Sequence, residues 1–355
     1  MTKYVPFLKA KQNEIKAISE LSLEVTAAIT PFFDFPKKNE GYSEMAFVDA
    51  VASVVSKLKR NLPPNGVFYL DNYDVEDTLK IGGQYNYIHL LKSVAGMRAI
   101  PVVGLDRTAA HCTTVIKLKQ SKVVSSTIVA FRICPDDFEE FAIVEDDLAA
   151  NLAPMFNEFE KIDLVFDCRI CTRLDPVVTA QQILKFSSKF CAVYPVRRVI
   201  VTGSSISAAS SDILTVDSTR TLVRNELAIF SAVKAGHRHA PLVLGDYATV
   251  SPNYSEVTIA PEILQNVMTA KLTYTLEGAH YFIRGGAMKA RGRGQYFGMA
   301  KMLCAQPFFR GSSYSTGDAY FDQKGRSQGN YCGPNTVIKP AVVAHISYMA
   351  LDGPS

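Results

Sequence analysis

Short apolar runs alternate with helix-like segments along most of the chain. Eight such runs recur at intervals of about thirty residues, the length of a strand–helix unit, and nearly every run ends on a charged residue. A strand buried in a parallel sheet is apolar on both faces, so a charge is tolerated only where the strand leaves the sheet. Eight strands alternating with helices predict a closed (β/α)8 barrel, a TIM-like α/β fold whose functional face lies at the carboxyl ends of the strands. The runs are Tyr4–Lys9, Ile29–Asp34, Val67–Asp71, Ile100–Asp106, Thr127–Arg132, Asp163–Arg169, Arg198–Gly203 and Leu242–Asp246.

The alternation stops after the eighth run, and the pattern that follows predicts a C-terminal α+β cap. Val257–Lys271 carries apolar residues at helical spacing, which predicts a helix. Leu272–Gly285 alternates apolar and polar residues around a central Glu-Gly pair, as a β-hairpin does. Val342–Met349 is apolar and β-branched enough to predict a final strand. We therefore expect a barrel over residues 1–252 and a cap, with a hairpin and a basic glycine-rich loop, over residues 253–355.

Composition limits the class of protein without changing this picture. The chain has 355 residues, of which 48% are apolar and 20% charged, and its net charge of +4 is too small to indicate a nucleic-acid partner. No stretch reaches the ~20 uncharged apolar residues of a membrane span, and the N-terminus lacks the apolar core of a secretory signal. Seven cysteines scattered mostly through apolar runs are typical of reduced thiols. We expect a cytoplasmic protein with no membrane partner.

The charged residues at the strand ends form the first candidate site. Carboxylates interleaved with cations on one face suit general acid–base chemistry or a divalent metal bound through oxygen. The same residues could instead cap helices and neutralise one another across the barrel mouth. Their types and spacing match no named catalytic motif, so we assign no catalytic residue, no resident cofactor and no metal, and keep a divalent metal as the alternative. The candidate barrel-mouth set is Lys9, Asp34, Asp71, Asp106, Arg132, Asp167, Arg169 and Asp246.

Two further segments are candidates for binding anions. The loop after the seventh strand is rich in serine and contains Ser204 and Ser205, and barrels often bind phosphate with the loops after their last two strands. Lys289, Arg291 and Arg293 are spaced by glycine and alanine just before a predicted helix, where they could hold a phosphate or a nucleic-acid backbone. The alternative is a solvated loop for the serine-rich segment and a solvated turn or a protein contact for the basic one, and we do not favour nucleic acid as a partner.

Five segments of the chain are distinctive as sequences. They are YVPFLKAKQNE (Tyr4–Glu14), ITPFFDFP (Ile29–Pro36), YTLEGAHYFIRGG (Tyr274–Gly286), YSTGDAY (Tyr314–Tyr320) and AHISYM (Ala344–Met349). In these segments and in their order, the chain resembles the beta family of bacterial and satellite-phage proteins over nearly its whole length. The segments of the cap contain what we take as its motif, Tyr281, Arg284, Ser315, Asp318 and His345.

The resemblance implies a biological context rather than a reaction. The type member of the family lies beside a killer gene and is implicated in phage resistance. The resemblance therefore implies a component of an anti-phage defence or toxin-control module, with a protein partner encoded nearby, either a toxin or a defence effector. The barrel mouth would then be a ligand-sensing pocket. The alternative is a TIM-barrel enzyme that acts on a phosphorylated or nucleotide-derived small molecule, with strand-end carboxylates as acid–base groups or metal ligands and strand-end cations on the phosphate.

Overall fold

Eight parallel strands close into a barrel, and the predicted (β/α)8 fold is confirmed. A computed structural model describes residues 2–209, 212–254 and 268–354. The strands in these ranges are β1 (Tyr4–Lys9), β2 (Phe32–Asp34), β3 (Val67–Asp71), β4 (Lys80–Ile81), β5 (Gln84–Tyr85), β6 (Arg98–Val103), β7 (Ile128–Ile133), β8 (Lys161–Ile170), β9 (Val196–Ser204), β10 (Ser218–Val223), β11 (Leu242–Asp246), β12 (Thr269–Leu276) and β13 (Ala279–Ala287). Around the barrel the order is β1-β2-β3-β6-β7-β8-β9-β11, and β11 pairs with β1 to close it.

Helices connect the barrel strands and continue into the cap. They are α1 (Gln12–Ile18), α2 (Leu23–Ala28), α3 (Glu44–Asn61), α4 (Asn86–Ser93), α5 (Ala109–Gln120), α6 (Pro135–Phe138), α7 (Phe141–Asp147), α8 (Ala153–Phe156), α9 (Pro176–Val193), α10 (Asn225–Gly236), α11 (Met288–Arg291), α12 (Gln295–Cys304), α13 (Thr316–Gly325) and α14 (Ile338–Leu351). Local sequence sets several of their ends. The side chain of Asp175, for example, accepts hydrogen bonds from two backbone amides of α9, and Pro176 occupies the first turn, where its missing N–H costs nothing. Within the described ranges, every helix falls short of the length and apolar character that a bilayer-spanning segment needs.

The inside of the barrel is a packed core rather than a pore. Alternate residues of each strand point inward, and Phe7, Phe32, Tyr69 and Val165 are among those completely buried there. The rings of Phe7 and Phe32 stack with their centroids 4.2 Å apart. Because these side chains fill the interior, the charged strand ends lie at the mouth of the barrel, at the carboxyl ends of the strands.

The cap is built on a three-stranded antiparallel sheet with the order β10-β13-β12. The expected hairpin is present as β12 and β13, and Gly278 takes the left-handed conformation (φ +66°) at its turn. Strand β10 belongs to the segment between β9 and α10, so a piece of the barrel half of the chain completes the sheet of the cap. The predicted boundary between barrel and cap at residue 252 therefore stays a prediction.

Two expectations for the cap need correction. Val342–Met349 is not a strand, because it lies inside α14, whose residues are buried on nearly every side between the barrel and the cap. A continuous apolar run does not distinguish a buried helix from a buried strand, and here the environment of the segment decides. The predicted helix Val257–Lys271 lies mostly outside the described residues, and its last three residues, 269–271, begin β12 instead.

Candidate functional site

A single guanidinium group lies at the centre of the barrel mouth. Arg132 on β7 is buried, and its Nη1 donates to Asp34 Oδ1 at 2.7 Å and to Asp71 Oδ2 at 2.8 Å. Its Nε and Nη2 both donate to Asp167 Oδ2, at 3.0 and 2.6 Å. These carboxylates come from β2, β3 and β8 and point inward because the inward positions of a strand recur every two residues. Four of the predicted mouth residues therefore form one ion-pair cluster.

The cluster has the carboxylate geometry of a cation site, and a protein side chain already fills it. Burial alone would raise the pKa of Asp34, but Arg132 and the ammonium group of Lys9 outweigh this effect and hold that pKa well below its usual range. The oxygens that a divalent ion would need are engaged by Arg132. In residues 2–209, 212–254 and 268–354, no group of three or more His, Cys, Asp or Glu side chains is arranged to hold a metal ion. Arg132 therefore occupies the position at which these carboxylates would otherwise bind a cation.

Arg169 and Tyr247 extend the cluster toward the rim. The hydroxyl of Tyr247 donates to Asp167 Oδ2 at 2.5 Å and accepts from Arg132 Nη2 at 2.8 Å and from Arg169 Nη1 at 3.2 Å. Arg169 adopts a left-handed backbone conformation (φ +50°) at an irregularity of β8, which is unusual for a residue with a side chain. Its Nη2 donates to Asn253 Oδ1 at 2.9 Å, so this strained residue connects the buried cluster to the loop after β11.

Lys9, Lys11, Glu14 and Asp74 form a second part of the mouth, which we call the wing. The ammonium group of Lys9 donates to Asp34 Oδ2 at 3.1 Å and to Asp74 Oδ2 at 2.5 Å. The backbone amide of Lys9 donates to Glu14 Oε2 at 2.5 Å, and burial raises the pKa of the Glu14 carboxyl to about 7. Burial also lowers the pKa of the neighbouring Lys11 ammonium. This wing holds a carboxyl group that titrates near neutrality.

Aromatic rings lie over the cations of the mouth. The ring of Tyr73 lies 4.3 Å from the guanidinium carbon of Arg132 and 4.4 Å from that of Arg169, both within cation–π range. The ring of Tyr254 lies 5.1 Å from the ammonium group of Lys9. Sequence reasoning missed these tyrosines and Asp74, although Tyr73 and Asp74 directly follow the strand end at Asp71 and could have been found by extending the search into that loop.

Asp106 and Asp246 do not contact Arg132. Asp106 is connected to the cluster through Arg107, which also binds Asp71, whereas the placement of Asp246 in the mouth was wrong. Strand β6 ends at Val103, so Asp106 lies in the loop beyond it, partly exposed, where it pairs with Arg107 Nε at 3.3 Å. Asp246 is buried but faces outward from the barrel, on the same side as Leu244 and opposite to Tyr247. A charged residue at a strand end points into the mouth only if it occupies an inward position.

Asp246 instead belongs to a buried network between the barrel and the cap. It accepts hydrogen bonds from Tyr4, from Arg224 and, at 2.8 Å, from Nε2 of His345 on α14. The other ring nitrogen of His345 is 2.7 Å from the hydroxyl of Thr275 on β12. Burial would raise the pKa of Asp246, but His345 and Arg224 outweigh it and hold that pKa well below its usual range. His345 of the predicted cap motif therefore connects the cap to the barrel wall.

The predicted anion-binding hydroxyls are used inside the protein. Ser204 donates to a backbone carbonyl and accepts from the amide of Ile206 at 3.1 Å. Ser205 donates to Glu226 Oε2 at 2.6 Å and accepts from the amide of Asn225 at 2.8 Å. Both serines are buried and satisfied within the protein, and Ser205 also lines a cleft beside the mouth, so their part in anion binding stays a prediction.

The residues of the basic loop and the remaining cap-motif residues lie apart from the ion-pair cluster of the mouth. Lys289, Arg291 and Arg293 are exposed, and Arg291 forms an ion pair with Asp217. The cap-motif residues contact other parts of the cap. Tyr281 packs against Phe308, and Arg284 donates to the backbone carbonyl of Leu214 and to Thr269. Ser315 caps α13 by accepting from the amide of Asp318, and the carboxylate of Asp318 accepts from Tyr274.

A cleft of about 920 Å³ opens beside the mouth, between the loops that follow β8 and β9 and strand β10. Asn253, the partner of Arg169, lines this cleft and so lies at the boundary between it and the ion-pair cluster. Its polar walls include Thr172, Arg173, Ser207 and Arg220. A cleft of this size with a few convergent polar groups suits a small-molecule ligand.

Comparison with protein families matches residues 4–351 to the family described as Beta protein. No curated protein sequence matches the chain. The family match runs from the first barrel strand to the last helix of the cap, so it includes the mouth cluster and the network around His345. The chain belongs to the Beta protein family.

Proposed function

We propose that this protein is a component of an anti-phage defence or toxin-control module that acts by binding rather than by catalysis. In this role it holds a ligand beside the barrel mouth and contacts a protein partner encoded nearby. The biological context comes from the resemblance to the beta family. The mode of action comes from the chemistry of the mouth.

One observation carries the proposal: the three strand-end carboxylates that converge at the centre of the mouth, Asp34, Asp71 and Asp167, are all engaged by Arg132. General acid–base catalysis needs a group that exchanges a proton near the working pH. Asp34, whose pKa is held far below that range, cannot serve as such a group. A rigid, fully paired cluster supports a binding surface at its rim better than it supports proton transfer at its centre.

The cleft beside the mouth provides that binding surface. Arg173 and Arg220 are exposed there, and Thr172 and Ser207 add hydroxyl donors. Guanidinium groups bind carboxylate and phosphate through paired hydrogen bonds, so an anionic small molecule fits this lining best. A ligand in the cleft would also contact Asn253 and, through it, Arg169.

The test combines partner binding with protection against phage. The neighbouring gene product is co-expressed with the wild-type chain, with the double variant Arg173→Ala/Arg220→Ala, and with a charge-matched control, Arg60→Ala/Arg238→Ala. The control arginines are exposed and donate to nearby backbone carbonyls. We expect the wild type and the control to co-elute with the partner and to protect cells, and the cleft variant to lose protection while its circular dichroism spectrum is unchanged. Lone elution of the wild-type chain, together with full protection by the cleft variant, would refute the proposal.

A second candidate function, an enzyme acting on a phosphorylated or nucleotide-derived small molecule, is favoured by the wing around Glu14. Its carboxyl group, with a pKa of about 7, lies beside Lys11, whose pKa is lowered, and such a pair suits proton transfer at neutral pH. Phosphorus NMR of the protein incubated with a panel of phosphorylated metabolites tests this candidate. Turnover by the wild type that Glu14→Gln abolishes would support it, and an unchanged spectrum with the wild type counts against it.

A further inference from the structure

Two cations face each other across the hairpin of the cap. Lys271 on β12 and Arg284 on β13 are direct partners in the antiparallel register. Such partners point to the same face of a sheet, with Cβ atoms roughly 5 Å apart, and like charges in these positions destabilise the sheet. The register shifts between Thr269 and Lys271, and irregularities of this kind are frequent next to binding sites because they change the direction of a side chain. The position of this cationic pair needs an explanation.

The cationic pair has no compensating negative charge in the part of the chain that the structure describes. There, neither residue forms an ion pair with a carboxylate, and the ammonium group of Lys271 has no hydrogen-bond partner. Arg284 is held in place, because its Nη1 donates to the carbonyl of Leu214 at 2.7 Å and its Nε to Thr269 Oγ1 at 3.1 Å. Burial lowers the pKa of Lys271, and Arg284 adds to this effect. An unpaired, mostly buried ammonium group costs stability.

The cationic pair lines a cavity of about 340 Å³ between the hairpin, α14 and the loop after β11. Three residues with hydroxyl groups, Thr249, Thr273 and Tyr296, are among its lining residues. Val337 and Ala341 line it on an apolar side. The cavity shares no lining residue with the cleft beside the mouth, so it is a separate place on the molecule.

We propose that this cavity binds a small organic phosphate monoester, with the phosphate group between Lys271 and Arg284 and the organic part against the apolar wall. A phosphate monoester carries a charge of about −1.5 to −2 at pH 7, which matches two cations, and its oxygens accept several charge-assisted hydrogen bonds. The threonine hydroxyls complete its coordination, and a volume of about 340 Å³ suits a molecule with a single ring. A bound phosphate group would offset the repulsion between the two cations. The inference is independent of the function proposed for the mouth.

Isothermal titration calorimetry with phenyl phosphate tests the proposal, with phenol as the uncharged comparison. The variants are Lys271→Met, which removes the charge but keeps the length of the side chain, and Lys301→Met, which removes an exposed lysine of α12 as the matched control. We expect saturable binding of phenyl phosphate and not of phenol by the wild type and the control. Loss of one charge-assisted contact should weaken binding to Lys271→Met at least about tenfold. Without ligand, Lys271→Met should melt at a higher temperature than the wild type, because the repulsion is relieved.

A second variant keeps the test decisive if Lys271→Met does not fold. Thr273→Val removes one lining hydroxyl, preserves the β-branched shape and leaves both charges in place. It should weaken binding of phenyl phosphate several-fold with little change in melting temperature. The proposal is overturned if the wild type shows no saturable binding of phenyl phosphate, or if Lys271→Met and Thr273→Val bind it as tightly as the wild type does.

Discussion

The strongest prediction concerns the removal of the central cation of the mouth by Arg132→Met. The substitution keeps the length of the side chain but leaves Asp34, Asp71 and Asp167 together in a buried site without their shared guanidinium. Removing one member of a buried ion pair costs about 3–5 kcal/mol, because the remaining charge stays desolvated. Each of the three carboxylates keeps one other partner, namely Lys9, Arg107 and Tyr247 in turn. We therefore expect a decrease in the free energy of unfolding at the lower end of this range at pH 7.

The matched control is Arg197→Met at the opposite end of the barrel. Arg197 also pairs with a buried carboxylate, Asp163, but its side chain is 34% exposed, and Asp163 keeps its bonds to Arg198 and Tyr69. We expect this change to cost only about 0–1 kcal/mol. Urea unfolding followed by far-UV circular dichroism measures both effects, since the chain has no tryptophan to serve as a fluorescent probe.

The pH dependence of Arg132→Met provides an independent check. Asp34 has a folded-state pKa below its ordinary value of 3.8, so its contribution to stability is present above that pH and is lost as the pH falls. The difference in stability between the wild type and Arg132→Met should therefore be complete at pH 7 and shrink below about pH 4. A loss at pH 7 as small as that of Arg197→Met would refute the view that Arg132 is the essential counter-charge of the mouth.

Two further predictions test other parts of the structure. Gly317→Ala should lower the free energy of unfolding by about 1–3 kcal/mol, because the added Cβ would overlap the carbonyl oxygen of Pro340 where α13 crosses α14. Gly298→Ala, on an exposed face of α12 with open space around it, should instead raise it by up to about 1 kcal/mol, and differential scanning calorimetry separates the two outcomes. Because the pKa of Glu14 is raised from 4.5 to about 7, its protonated form stabilises the fold below pH 4.5, and this contribution is lost as the pH rises through 7. The melting temperature of Glu14→Gln minus that of the wild type should therefore be larger at pH 8 than at pH 5. An equal difference at the two pH values would contradict the argument that burial raises this pKa.

The barrel could be predicted from the sequence because its signal is repeated. Each of the eight strands is apolar on both faces and is followed by a polar stretch, so the evidence accumulates over the chain. The convergence of Asp34, Asp71, Arg132 and Asp167 follows from the same pattern, since each lies at a strand end and at an inward position. The fold and the residues at the centre of the mouth can thus be predicted from the local alternation of apolar strands and polar segments.

The errors occurred where local pattern does not determine the environment. Asp246 is the last residue of its strand, as Asp71 is of β3. Asp71 occupies an inward position, whereas Asp246 occupies an outward position and faces α14 instead of the mouth. The helix containing His345 was mistaken for a strand because a segment buried on all sides has no polar face to reveal its period. The pairing of Lys271 with Arg284, by contrast, could have been predicted, because it follows the regular register that starts at the turn of the hairpin, and the irregularity lies beyond it toward Thr269.

The end of β11 brings the mouth and the cap into physical contact. Tyr247 points inward and binds Asp167 and Arg132, whereas the preceding residue, Asp246, points outward and binds His345 of the cap. Because Asp246 and Tyr247 are adjacent in the chain, the mouth cluster and the network that holds α14 meet at a single peptide bond. The same helix forms the apolar wall of the cavity beside the cationic pair. The loop after β11 reaches both proposed ligand sites, because Thr249 and Val250 line the cavity and Asn253 lines the cleft.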